Sequence, residues 1–297
     1  MTEPLFFVPF FEEKPWGGDR LNQLFEKYPA DIPIGESWEL SSVTYRQTFV
    51  RSGEFAGTML SDLFERNPGL FGIGTPCFPF VIKLMDTRVM TPLIVQRGGA
   101  KSDASHMGVY VVSVDKPVPI VSGTSLHNKL ELFNAIAGNT LAETLRYTYV
   151  DTGDSYMVQP GTFYAIGGGA LAYTINSPLI ENERDFDWSA YSGFELDKIV
   201  DSFQFDMGTE KFVQQNVSEG RDLVLECALF KVERIDASLP RMDKAWARFA
   251  AFTALGGGCL RYVGGEARYH AGETFIVPAG FGEFSLEGGT LLKAVAA

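Results

Sequence analysis

Histidine, the side chain that most often moves protons near neutral pH, occurs only three times in the sequence, as His106, His127 and His270. None stands in motif spacing with a serine, a cysteine or a carboxylate, so no Ser–His–Asp or Cys–His catalytic set is suggested. His127 lies in a segment with helical periodicity, and His270 lies in a predicted turn. Imidazole therefore offers this chain little for metal binding or acid–base catalysis.

A basic, glycine-containing loop follows one of the predicted strands. It reads RGGAK from Arg97 to Lys101, and its small residues would let backbone amides approach an anion. Lys83, on another predicted strand, supplies a further cation. These residues predict an anion site, and the alternative is a solvated loop that binds nothing.

The elements that position these histidines and basic residues are predicted to be mostly short strands. Runs of β-branched and aromatic residues bounded by Gly, Pro or Asp dominate the sequence. In the first two thirds they cover residues 78–83, 93–96, 109–114, 155–158 and 171–175. From about residue 222 six more follow at roughly ten-residue spacing. This pattern predicts antiparallel barrels or sandwiches.

Helical periodicity is confined to the part of the chain before residue 205. It predicts a helix over residues 19–28 with Asp19 as its cap, and others over residues 59–67 and 194–203. Residues 125–145 predict two helices broken at Gly138. The helices are therefore expected as insertions in the N-terminal half.

Two segments resemble each other. Residues 151–165 read DTGDSYMVQPGTFYA and residues 268–281 read RYHAGETFIVPAGF. Each has a Gly–acid turn, a strand, a Pro and Gly corner and a new strand, in which Gly permits the tight turn and Pro ends the strand. The duplication predicts two barrels in tandem, over residues 1–215 and 216–297.

Several motifs together resemble the class I mannose-6-phosphate isomerase family of the cupin superfamily. They occur in the family's order along nearly the whole chain: EEKPWGGDRL (12–21), IGESWELSS (34–42), FPFVIKLMD (78–86), PGTFYAI (160–166), INSPLIENERDFDW (175–188) and ECALFKVERID (226–236). The resemblance implies an all-β fold of two tandem cupin barrels with helices inserted in the first. It also implies interconversion of mannose 6-phosphate and fructose 6-phosphate at a metal, usually zinc.

The same resemblance implies that the metal ligands have been replaced. Gln96 stands where the family has a His ligand, Met107 where it has a Glu, and Tyr164 where it has a second His. Asn182 stands where the family has its catalytic Arg, whereas Lys83 is retained. An amide, a thioether and a phenol make a poor zinc site, so we expect no zinc and no metal site.

The predicted ligand site is the mouth of the first barrel, formed by Lys83, Gln96, Arg97, His106, Met107 and Tyr164. His106 is next to the family's Glu position, and a β-bulge would be needed to turn it inward. The alternative for His106 is an ordinary residue at the end of a loop.

Two functions follow from the resemblance. One is a mannose-6-phosphate isomerase-like protein of carbohydrate metabolism whose catalysis is impaired. The other is a non-catalytic sugar or sugar-phosphate binding or regulatory paralogue. The sequence does not choose between an enzyme and a binding protein.

The composition restricts the partners of this 297-residue chain. Its net charge of −12 and the lack of a basic stripe argue against nucleic acid, and no apolar stretch is long enough for a bilayer. Three dispersed cysteines, Cys77, Cys227 and Cys259, are expected to be small buried hydrophobes in a reducing compartment. With no signal-peptide pattern, the predicted location is the cytoplasm.

Overall fold

The computed structural model describes residues 3–28, 32–95, 106–177, 186–187 and 203–297. Strands dominate this part of the chain, and they fall into four antiparallel sheets.

The first twelve strands are β1 (Leu5–Val8), β2 (Phe10–Gly18), β3 (Ile34–Leu40), β4 (Phe49–Val50), β5 (Val81–Thr87), β6 (Ile94–Val95), β7 (Met107–Val114), β8 (Val118–Thr124), β9 (Leu145–Val150), β10 (Ser155–Val158), β11 (Phe163–Ile166) and β12 (Ala170–Asn176). The strands that follow in sequence are β13 (Phe186–Asp187), β14 (Thr209–Lys211), β15 (Gln215–Ser218), β16 (Arg221–Glu226), β17 (Phe230–Asp236), β18 (Arg241–Ala245), β19 (Ala250–Ala254), β20 (Gly258–Tyr262), β21 (Gly265–Tyr269), β22 (Thr274–Val277), β23 (Gly282–Glu287) and β24 (Thr290–Ala296).

Helices are few and short among the described residues. They are α1 (Arg20–Phe25), α2 (Leu60–Arg66) and α3 (Lys129–Ala137), with 3-10 turns at Pro68–Leu70 and Leu141–Thr144. No helix in the described ranges has the length and apolarity needed to cross a membrane.

Each barrel consists of a large and a small sheet. The first barrel combines the order β14-β10-β7-β12-β5-β2-β3, in which β5 also pairs with β3, with the order β13-β6-β11-β8-β9. The second combines the order β15-β16-β17-β24-β19-β22-β1-β4 with the order β18-β23-β20-β21. The predicted all-β fold of two cupin barrels is confirmed.

The internal repeat places equivalent turns in the two barrels. Gly153 and Gly272 open the turns before β10 and β22 with φ of +90° and +81°. Gly161 and Gly280, at the corners after those strands, both have φ of +76°. Positive φ values of this kind favour glycine, which explains why both copies carry it at these positions.

The two large sheets pack back to back, so their central strands are covered on both faces. Every residue of β3, β5 and β12 is buried, which is why residues 78–82 read as a continuous apolar run and do not alternate. The core between the sheets contains Leu84, Tyr110 and Tyr173 from the first barrel, and Val232 and Ile276 from the second.

The first strand of the chain belongs to the sheet of the second barrel. In β1, Leu5 pairs with Ile276 and Phe6 pairs with Phe275 of β22, and β4 pairs with β1 at the edge. The division of the chain into residues 1–215 and 216–297 remains a prediction. The pairing of β1 with β22 connects these two segments.

Local details differ from the sequence-based expectations. The second of the two helices predicted within residues 125–145 is only the 3-10 turn Leu141–Thr144, because β9 starts at Leu145 and pairs with β8. The first begins at Lys129, so His127 lies before it and not within it. The helix predicted over residues 194–203 lies outside the described residues except for Phe203.

The expectation of three buried cysteines was wrong. Cys77 is exposed, and Cys227 and Cys259 are only partly buried; all three thiols are free. Cys77 lies in the loop before β5, and the other two lie where strands of the second barrel end or begin at the surface. Burial is set by these positions and not by the apolar character of the residue.

Candidate functional site

Alternation along the strands of the first barrel decides which side chains line its interior. Lys83 pairs with Trp38 of β3 and with Thr174 of β12, and directly opposed residues share a face. Met85, two residues from Lys83, is in the apolar core of this barrel, whereas Leu84 is in the core between the barrels. Lys83 therefore faces the interior of the first barrel.

The Lys83 ammonium is buried against a carboxylate and an indole. Its Nζ donates to Glu36 Oε1 at 3.0 Å and lies 4.6 Å from the centre of the Trp38 ring. Trp38 Nε1 donates to the other oxygen of Glu36 at 3.2 Å. All three residues are less than a tenth exposed, so the charge of Glu36 is neutralised in place.

Towards solvent, Glu12, Lys14 and Arg46 extend this arrangement. Arg46 donates to both oxygens of Glu12, from Nε at 2.7 Å and from Nη2 at 2.8 Å, and Lys14 Nζ donates at 2.9 Å. Burial opposes ionisation of Glu12, but the hydrogen bonds from Arg46 and Lys14 outweigh it and lower its pKa to about 2.

These six residues are called the Lys83 cluster: Glu12, Lys14, Glu36, Trp38, Arg46 and Lys83. The Arg46 guanidinium lies 5.0 Å from the Trp38 ring centre, so the same indole contacts two cations. Lys14 Nζ also lies 4.0 Å from Glu36 Oε2. The cluster combines three cations with two carboxylates and therefore carries one excess positive charge in a chain whose net charge is −12.

The opposite face of β3 joins the barrels. Ser37 and Glu39 point away from the interior, and Glu39 Oε1 accepts hydrogen bonds at 2.5 Å from both Lys27 Nζ and Ser37 Oγ. Its Oε2 accepts from Thr274 Oγ1 of the second barrel at 3.2 Å. Glu39 is 1% exposed. The GESWEL segment thus supplies the interior of the first barrel on one face and the junction between the barrels on the other.

Two interior oxygens next to the Lys83 cluster have no hydrogen-bond partner among the described residues. They are Oγ1 of Thr174 and Oδ1 of Asn176, both on β12, and the residues are 0% and 3% exposed. Thr174 lies between Lys83 and Val109, and Asn176 lies between Val81 and Met107. The wall formed by β5, β12 and β7 is therefore polar at this level and apolar beyond it.

Met107 and Tyr164, which the resemblance places where the family has metal ligands, are packed in an apolar environment. Both belong to the core of the first barrel, with Val109, Tyr156 and Ile166 among its members, and are 1% and 5% exposed. Met107 lies on the same wall as Lys83, and Tyr164, on β11, lies on the other sheet of the barrel.

His106 precedes β7. Its N–H donates to Ser177 Oγ at 3.1 Å, and its carbonyl accepts from the Ser177 N–H at 2.8 Å, which extends the pairing of β7 with β12. Strand alternation puts its side chain on the face opposite to Met107. No bulge turns it inward: the irregularity between β7 and β12 lies farther along, at Leu171 and Ala172.

Gln96, Arg97 and Lys101, as well as Asn182, lie outside the described residues. Of the predicted site, the described part brings together Lys83, Met107 and Tyr164 in one barrel. Sequence reasoning missed Glu36, Trp38, Arg46 and Lys14 as neighbours of Lys83, and also Thr174 and Asn176. The signal for Glu36 and Trp38 was their i, i+2 spacing in the GESWELSS motif, which places both on one face of a strand.

Comparisons with known proteins agree with this architecture. No protein-family model matches the chain. It is 29% identical over 307 aligned residues to the mannose-6-phosphate isomerase ManA of Bacillus subtilis, covering 97% of this chain and 96% of that one. It is 24% identical to the probable mannose-6-phosphate isomerase GmuF of the same organism, with 97% of each covered.

The chain is a homologue of the mannose-6-phosphate isomerases. Solved structures show the same fold. That of the Bacillus subtilis mannose 6-phosphate isomerase matches with a TM-score of 0.87 at 23% identity, over 99% of this chain and 100% of that one. A putative mannosephosphate isomerase from Archaeoglobus fulgidus matches with a TM-score of 0.77 at 20% identity, over 100% and 99%.

The described part of the first barrel's interior holds no set of the side chains that usually bind the zinc that the resemblance implies. Zinc sites are built from thiolate, imidazole and carboxylate donors. In the described part of the chain no three His, Cys, Asp or Glu side chains are close enough to share a metal. Met107 and Tyr164 instead contribute a thioether and a phenol to a packed apolar core.

Proposed function

We propose that this mannose-6-phosphate isomerase homologue binds a sugar phosphate in its first barrel, beside Lys83, without zinc and without isomerising mannose 6-phosphate. One observation carries the proposal. Met107 and Tyr164, which the resemblance aligns with the family's metal ligands, are packed among apolar side chains, while Lys83 lies beside Glu36 and Trp38.

The excess positive charge of the Lys83 cluster supports an anionic ligand. Glu36 takes the charge of Lys83, and Glu12 is shared between Arg46 and Lys14, which leaves one cation over. This excess charge lies at the partly exposed end of the cluster, where Arg46 and Lys14 share Glu12, and it attracts a phosphate group that approaches from solvent. A sugar phosphate supplies this charge together with hydroxyl groups.

An active mannose-6-phosphate isomerase is the second candidate, and the similarity to ManA over 97% of the chain favours it. The two candidates predict different metal contents and different isomerase activities for the purified protein. Protein purified without chelator is analysed for zinc, manganese, cobalt and nickel, and is then assayed for mannose-6-phosphate isomerase activity with each metal added. ManA from Bacillus subtilis serves as the active control.

We expect less than about a tenth of an equivalent of metal per chain and no turnover above background, because losing a principal electrostatic stabiliser removes several kcal/mol of barrier reduction. One equivalent of metal together with turnover would establish the isomerase and refute the metal-free binding protein.

Ligand binding is tested by thermal shift with millimolar mannose 6-phosphate, fructose 6-phosphate and free hexoses. A sugar phosphate that binds only the folded state raises Tm by mass action. We expect Lys83→Gln to abolish this shift. Lys293→Gln is the matched control, because Lys293 is another mostly buried lysine, paired at 2.7 Å with Asp243 in the second barrel. No shift with any sugar phosphate, or equal shifts in both variants, would contradict the proposal.

A further inference from the structure

Thr174 and Asn176 are two residues apart on β12, so both side chains face the interior of the first barrel. Their partners across the strands are Lys83 and Val109 for Thr174, and Val81 and Met107 for Asn176. In the part of the chain that the structure describes, Thr174 Oγ1 and Asn176 Oδ1 find no hydrogen-bond partner, although both atoms are shielded from solvent.

Such atoms are uncommon in folded proteins, because a buried polar group without a partner loses its hydration and gains nothing in return. The nearby polar groups of the Lys83 cluster, in contrast, have partners. Lys83 donates to Glu36, and Glu36 also accepts from Trp38. The two oxygens therefore differ from the polar groups of the neighbouring Lys83 cluster.

The chemistry of the two oxygens defines what satisfies them. Asn176 Oδ1 only accepts hydrogen bonds, so its partner has to be a donor, whereas the Thr174 hydroxyl both donates and accepts. A phosphate dianion or a carboxylate has no proton to offer to Asn176. A sugar hydroxyl donates and accepts, and neighbouring hydroxyls of one sugar ring can reach both atoms.

We propose that Thr174 and Asn176 form a hydroxyl-binding subsite, which holds the neutral part of the ligand while the Lys83 cluster holds its anionic part. The subsite rests on the proposed sugar-phosphate binding function. It assigns the two ends of the ligand to different residues: hydroxyl groups to β12 and the phosphate to the cations of β2, β5 and the segment before β4.

The test uses Thr174→Val, which replaces the hydroxyl by a methyl group of similar size. Thr253→Val is the matched control, because Thr253 is also a fully buried threonine on a central strand, but its Oγ1 is hydrogen bonded to Thr274 Oγ1 at 3.0 Å. For each full-length variant, Tm without ligand is measured by calorimetry. The Kd values of mannose 6-phosphate, fructose 6-phosphate and inorganic phosphate are measured by titration calorimetry.

We expect Thr174→Val to keep or raise the ligand-free Tm, since no hydrogen bond is lost, and to weaken sugar-phosphate binding about tenfold, the usual effect of one hydrogen bond. Its affinity for inorganic phosphate stays unchanged. Thr253→Val has the opposite pattern, with a lower Tm and unchanged affinities.

Unchanged sugar-phosphate affinity in Thr174→Val would overturn the subsite while leaving the proposed function in place. A lower ligand-free Tm together with unchanged affinity would mean that the hydroxyl serves a buried water. If the wild-type protein binds no sugar phosphate at all, the proposed function fails, and the subsite fails with it.

Discussion

Lys83 and Asp86 are three residues apart on β5 and face opposite sides of the sheet, where their surroundings differ. Lys83 forms an ion pair with Glu36 at 3.0 Å. Asp86 is fully buried; its Oδ2 accepts from the Leu21 N–H at 2.8 Å, and its Oδ1 has no hydrogen-bond partner within the described ranges. Burial raises the pKa of Asp86 to about 6, although the backbone hydrogen bonds at Leu21 and Arg20 oppose the shift.

Asp86 should therefore make the protein less stable as the pH rises. Its pKa in the folded chain, about 6, is above the ordinary value of 3.8, so the folded state binds the proton more tightly. The stability from this group is complete below about pH 4 and is lost as the pH rises through 6. Relative to Asp86→Asn, the wild type should lose on the order of 2 to 3 kcal/mol across this window. Urea unfolding of both proteins at pH 4, 5, 6 and 7 measures this difference, and a constant difference would refute it.

At the scale of elements, the start of α1 depends on a residue distant in sequence. Asp19 is the N-cap, as expected, but its side chain makes no capping hydrogen bond, and Asp86 from β5 supplies it. The Gly18 backbone fits closely against that carboxylate, since a Cβ there would lie 2.1 Å from Asp86 Oδ1. The first turn of α1 is therefore capped by a residue of β5 and not by its own N-cap side chain.

The two repeated turns differ in their surroundings, and this difference is measurable. A Cβ on Gly272 would lie 2.6 Å from Phe25 Cβ, whereas one on Gly153 would meet nothing within 4 Å. Both have positive φ, so Gly153→Ala should cost about 1 kcal/mol from backbone strain alone. Gly272→Ala should cost roughly 2 to 4 kcal/mol, because the turn must also move away from α1. Chemical denaturation of the two variants compares them, and equal losses would contradict the steric account.

At the scale of the whole molecule, the barrels share a core and a strand. The core between the large sheets takes side chains from both barrels, and β1 completes the sheet of the second. The Lys27–Glu39–Thr274 contacts lie at the same junction and are nearly inaccessible to water. We expect the barrels to unfold together, because neither keeps its core without the other.

Replacing Lys27 by Met leaves the Glu39 carboxylate buried without its cation. Removing one partner of a buried ion pair typically costs about 3 to 5 kcal/mol, and Lys27→Met should lose an amount in this range. Lys27→Met combined with Glu39→Gln should recover part of it. Urea unfolding followed by circular dichroism and by tryptophan fluorescence should give one coincident transition for each protein. A loss below about 1 kcal/mol or two separate transitions would contradict this account.

The sequence by itself determined that the fold is all-β, that it contains two tandem barrels, and that it resembles the mannose-6-phosphate isomerases. These follow from local signals: β-branched runs, glycines in turns that require positive φ, and motifs in a fixed order. Lys83, Met107 and Tyr164 were placed in the first barrel because strand alternation is a local property that carries over into the fold.

Only the tertiary structure decided which residues meet. Arg46 reaches Glu12 and Trp38, and Thr174 and Asn176 face the barrel interior with oxygens that no described residue satisfies, because strands distant in sequence are paired there. Leu5 pairs with Ile276 for the same reason, and the sequence of neither segment indicates which strand it pairs with. Pairing between distant strands depends on the packing of the whole chain, so burial and charge at the site are decided at that level.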